Sequence, residues 1–156
     1  MVEAELAAPA LEWLRESGPK GSEARRYAGV QLLRQLAMAA PTVLYERRRA
    51  FFDNIWPVVN DSKLQIRVRA AAALGAMLRL VHERESTDRY CRVALREVEN
   101  GFARDTTERV HGSLLTISQL LEHPGPWMAR HSNTGGHSNS GGGHSGGSAA
   151  GGSGTG

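Results

Sequence analysis

One cysteine, Cys91, stands in 156 residues. It cannot close an internal disulfide, so a disulfide-stapled secreted fold is excluded and a reducing compartment is expected. Also missing is any uncharged apolar run near the roughly 20 residues that a bilayer span needs. The opening MVEAELAA is acidic where a secretory leader would be basic. A soluble cytoplasmic protein without a membrane span is therefore expected. From His131 onward charge and large apolar side chains are both absent, leaving Gly, Ser, Ala, Asn, Thr and three histidines. Such a composition buries too little apolar surface to offset its ordering entropy. Residues 124–156, from the Pro124 and Pro126 end onward, are expected to form a disordered tail, and residues 1–123 to form the folded segment. The net charge of +3 comes from acids and bases mixed along that segment. This pattern suits solvated helix faces, and nucleic acid is not an expected partner.

What is present is helical periodicity, with no convincing strand. In SEARRYAGVQLLRQLAMAAP, Leu32, Leu33, Leu36, Ala37 and Ala40 step around one helical face, Ser22 is placed to cap and Pro41 to stop. A helix from about Val43 carries Phe51, Phe52, Ile55, Trp56 and Val59. Others are expected at about Val2–Glu16, Ser62–Arg84, Thr87–Phe102 (with Val93, Ala94, Val98 and Phe102 inward) and Asp105–Glu122.

Three of these helices superpose by counting. Arg25, Arg67 and Arg109 are each 42 residues apart; a small residue follows at the third place (Ala28, Ala70, Gly112) and a leucine at the eleventh (Leu36, Leu78, Leu120). Helical-pair repeats of about 40–47 residues are the HEAT and armadillo period. The predicted fold class is an all-α HEAT-type solenoid of antiparallel helix pairs, about two and a half repeats long. The nine superposed residues are predicted packing positions, small side chains letting helix axes approach. Arg67 is expected to reach an acid, Asp61 or Asp105. Neither end of the stack carries an evident polar cap.

ALEWL (Ala10–Leu14), ARRYAGVQLLRQLAMAAPT (Ala24–Thr42), FFDNI (Phe51–Ile55), QIRVRAAAAL and RVHGSLLTISQLL (Arg109–Leu121) resemble the N-terminal HEAT region of the target of rapamycin (TOR) serine/threonine protein kinases. The resemblance covers about residues 2–122. It implies a scaffold in nutrient and growth signalling that holds a Raptor-type regulatory subunit and receives small GTPases. ATP and magnesium belong to catalytic lobes of that family far downstream. This chain departs from the family between Glu85 and Arg109, where it is shorter. It also has only one acid preceding a repeat arginine, Asp61, whose counterparts are Pro19 and Ala103. No His-Arg-Asp, Asp-Phe-Gly or strand-borne Gly-rich loop occurs, so no catalytic or cofactor-binding residue is assigned.

The remaining candidates are few. His131, His137 and His144 lack the pre-positioned ligands a specific metal site requires, and no metal residue is assigned. His111 reads as a surface or packing histidine. Cys91 has no neighbouring base to activate it. Arg47, Arg48 and Arg49, in ERRR at 46–49, read first as a solvated helix face and second as a contact for an acidic partner or phosphate. Trp13 and Trp56 fall on apolar faces, whereas Trp127 is the better partner contact. The alternative function is a stand-alone HEAT adaptor, or a helical-repeat protein that grips a polyanion through ERRR. An enzyme in its own right is the least supported class.

Overall fold

The computed structural model describes residues 2–16, 21–104 and 106–122. They form eight helices and, among the described residues, no strand: α1 (Val2–Arg15), α2 (Glu23–Ala39), α3 (Pro41–Glu46), α4 (Arg48–Asn54), α5 (Trp56–Val59), α6 (Leu64–Arg84), α7 (Arg89–Phe102) and α8 (Thr107–Glu122). The tail and Trp127 lie outside the described residues.

Local chemistry sets the helix ends. Ser22 caps α2, its hydroxyl accepting the Arg25 amide at 3.4 Å, which satisfies one of the four orphan donors of a helix start. Pro41 ends α2 and opens α3 at its first turn, where a missing N–H costs nothing. The single helix expected from Val43 is instead three short ones. Arg47 leaves helical geometry with ψ near 9°, and Pro57 has no amide to continue the ladder past Ile55. Asn54 and Asn60 donate side-chain N–H groups to the carbonyls of Ala50 and Trp56, one turn back in the chain.

The helices stack as hairpins. α1 packs on α2, the α3–α5 segment folds back against α6, and α7 packs on α8. α2, α6 and α8 line up side by side as one layer. In the other layer, α4 and α7 meet where the Phe52 and Tyr90 rings stack with centroids 4.2 Å apart. One apolar core runs through both layers, with Leu14, Leu33, Leu44, Phe51, Leu74 and Met77 fully enclosed. Each such side chain contributes about 1.5–3 kcal/mol of burial free energy. The central helix α6 is closed in most completely, because it alone has a neighbour on both sides in its layer.

One inward assignment is corrected. Phe102 is exposed at 45%, and Gly101 takes the inward position, its missing side chain making room for Ser113. Trp13 and Trp56 are half-buried at the edge of the core.

Candidate interaction surface

The repeat arginines lie at the N-terminal ends of α2, α6 and α8, where the hairpins meet. In the first of these helices the register read by counting is one residue early. Arg25 is exposed and Ala28 with it, whereas Arg26 and Gly29 are buried. One residue turns a helix by 100°, enough to move a side chain from solvent into the seam. Arg26 and Arg67, 41 residues apart, are the buried arginines, and Arg109, 42 further on, is half-buried; Gly29, Ala70 and Gly112 follow them at the third place and are all buried. Leu36, Leu78 and Leu120 are all buried.

Arg26 donates from Nε to the Asp61 carboxylate at 2.7 Å, and both side chains are more than nine-tenths enclosed. This pair links the first hairpin to the second. Asp61 also accepts the Lys63 amide at 2.9 Å, helping to start α6. The expectation that Arg67 pairs with that carboxylate is therefore overturned, because Arg26 already holds it. Arg67 instead donates to the Asp61 backbone carbonyl at 2.7 Å and to His111 Nδ1 at 3.1 Å. His111 is thus an acceptor that links the second hairpin to the third. Asp105 lies outside the described residues. Among the described residues the ladder has one charged rung, Arg26–Asp61, and one Arg–His rung above it. The second rung changes because Ala103 stands where an aspartate would have to be.

Small residues close the seams. A side-chain carbon on Gly29 would lie 3.0 Å from the Ala10 carbonyl, and one on Gly112 would lie 2.6 Å from the Val59 carbonyl. Over the seam opens a cleft of about 800 Å³, with Arg26, Asp61 and Arg109 in its wall beside Trp56 and Glu97. Its wall mixes the two arginines with the carboxylates of Glu23, Asp61 and Glu97.

The ERRR run does not form one patch. Arg47 borders a shallow groove against α1, with Glu12 and Arg15. Arg48 turns inward, its Nε 2.8 Å from Glu85 and its guanidinium 4.3 Å from the Tyr45 ring centre. Arg49 faces α7 across another groove, whose wall Arg48 also joins. Tyr45 donates its hydroxyl to Glu85 at 2.8 Å, and Arg84 reaches Thr42 at 3.1 Å. Together these contacts tie the end of α6 to α3 and α4. The hydrogen bond to Glu85, then burial, raises the Tyr45 hydroxyl above the ordinary tyrosine value. Cys91 is half-buried, and burial followed by the nearby Asp88 charge raises its thiol as well, the opposite of what a nucleophile requires. Among the described residues, no group of three or more metal-binding side chains gathers, and no helix is long and apolar enough to cross a membrane. Counting along 46–49 missed the α7 arginines 89, 92 and 96, although their spacing of three and four was visible.

The chain is similar to the serine/threonine-protein kinase tor1 of Schizosaccharomyces pombe, with 36% identity over 124 residues, 78% of this chain. To the serine/threonine-protein kinase TOR of Arabidopsis thaliana it is 37% identical over 123 residues, 76% of this chain. With the serine/threonine-protein kinase TOR2 of Saccharomyces cerevisiae it shares 30% over 125 residues. In each case it spans about 5% of the relative's length. No protein-family model and no solved structure matches it.

Proposed function

Since the chain is homologous to one short segment of the TOR serine/threonine-protein kinases, we propose that it works as a HEAT-type scaffold, mediating protein–protein contacts in nutrient and growth signalling. The observation that carries this reading is the extent of the similarity. It covers most of the chain, which folds as three hairpins locked by Arg26–Asp61 and Arg67–His111. Rigid stacks of this kind offer long surfaces to partners and leave chemistry to other domains. The proposed partners are a Raptor-type regulatory subunit and a small GTPase, the compartment the cytoplasm. ATP and magnesium are assigned to other parts of such kinases and to no residue of this chain.

The polyanion-gripping alternative draws less support. Its basic run is split, with Arg47 on a separate groove and Arg48 already engaged by Glu85. A tagged-chain pull-down from cell extract tests the proposal. Recovery of a Raptor-type subunit at physiological salt is the expected result. Recovery of nucleic acid alone, lost steeply as salt rises, would favour the alternative.

A further inference from the structure

A second arginine cluster lies away from the hairpin seam. Arg89, Arg92 and Arg96 stand at i, i+3 and i+7 on α7, so they share one face and span about 10 Å along the axis. All three are exposed. Across from them are Arg48 and Arg49 of α4, and the two sides enclose a groove of about 670 Å³ floored by Tyr90 and Val93. Glu85 engages Arg48, and Asp88 engages Arg92. Five arginines against these two carboxylates leave an excess of about three positive charges in one concavity. Arg49 and Arg96 have no ion-pair partner among the described residues.

The groove's chemistry narrows the ligand. Guanidinium forks match carboxylates and phosphates alike in planar, paired hydrogen bonds, so the rest of the lining decides between them. Single-stranded nucleic acid would need an exposed ring on which bases stack. The groove's aromatic residue, Tyr90, is only 6% exposed and is spent on Phe52. Val93, between Arg92 and Arg96, adds an apolar rung that suits a side chain better than a base. We propose that this groove docks an acidic, glutamate- or aspartate-rich segment of a protein partner, its carboxylates meeting Arg49, Arg89 and Arg96. The inference rests on the scaffold reading and names the partner's chemistry.

The test uses the full chain and a fluorescein-labelled oligo-glutamate peptide, read by fluorescence anisotropy. Arg49→Glu with Arg96→Glu should weaken binding by about tenfold or more. Arg69→Glu with Arg79→Glu, exposed positions on α6 outside the groove, changes net charge equally and should weaken it by less than about threefold. Circular dichroism melts check that both variants fold. Equal losses in the two variants would overturn the proposal, since net charge alone would then explain binding. So would an oligothymidylate that binds more tightly than the peptide. The pull-down separates the two readings. If Arg49→Glu with Arg96→Glu still recovers the Raptor-type subunit, the groove is not its docking point and the scaffold reading stands. If the unaltered chain recovers none, the scaffold reading fails whatever the peptide does.

Discussion

Replacing Asp61 by asparagine should cost the fold far more than removing the neighbouring surface pair. Arg26 and Asp61 are 2.7 Å apart, with side-chain exposures of 7% and 5%. Unit charges about 4 Å apart attract by about 4 kcal/mol at an effective dielectric of 20. Removing one partner of a buried pair leaves the other charge stranded, a loss of about 3–5 kcal/mol. Arg26 keeps one other bond, from its Nη1 to the Gly21 carbonyl at 2.9 Å, so Asp61→Asn should fall near the lower end, about 3 kcal/mol. Asparagine still offers an oxygen to the Lys63 amide; Asp61→Ala forfeits that bond too, at about 1 kcal/mol more. Arg25, next in sequence, pairs with Glu16 at 3.0 Å in the open, with exposures of 59% and 37%, and Arg25→Ala should cost about 0–1 kcal/mol. Urea unfolding followed by far-UV circular dichroism measures all four proteins. Arg26→Met combined with Asp61→Asn should recover much of the loss, because no buried charge remains. If Asp61→Asn costs less than about 0.5 kcal/mol, within the range of an ordinary surface change, or less than Arg25→Ala, the buried pair is not what joins the first two hairpins.

Gly112→Ala should destabilise by about 1–3 kcal/mol, because the added carbon meets the Val59 carbonyl and the Asn60 side chain. In Gly75→Ala the nearest atoms the added carbon meets are those of the flexible end of Gln119, so it should be neutral or stabilising by up to about 1 kcal/mol; the two denaturation midpoints compare them. Alkylation of Cys91 at neutral pH should be several-fold slower in the folded chain than in the urea-unfolded one, since burial and then Asp88 disfavour the thiolate. An equal or faster folded rate would contradict this. The folded state holds the Tyr45 proton more tightly than the unfolded state does. Its contribution to stability is therefore full below the ordinary tyrosine value of about 10 and is lost as pH rises through the folded value. A plot of urea midpoint against pH should decline there more steeply for the unaltered protein than for Tyr45→Phe.

The repeat shows where legibility stopped. Spacings near 42 and the Ala70 and Gly112 positions survive in the structure, because periodicity records which helix faces turn inward. Arg25 and Arg26 are both arginine, and Ala28 and Gly29 are both small, so counting could not choose between them. Only the packing of α1 and the position of Asp61 separate the pairs. Likewise, ERRR is contiguous in the chain yet divided in space, because α3 and α4 break at Arg47. The groove at α7 needs Arg49 and Arg96, 47 residues apart, to face each other across a hairpin.

Composition and periodicity alone established a chain of helices, their order, and the want of cysteine pairs and of long membrane-length runs. Those properties are local, set by residue chemistry within a turn or two. Which arginine is buried, that Arg67 takes a histidine in place of an acid, and where unpaired charge collects were decided when the hairpins stacked. Each depends on a partner some 35–47 residues away, and whether a charge is stranded or satisfied is a property of what lies opposite it in space.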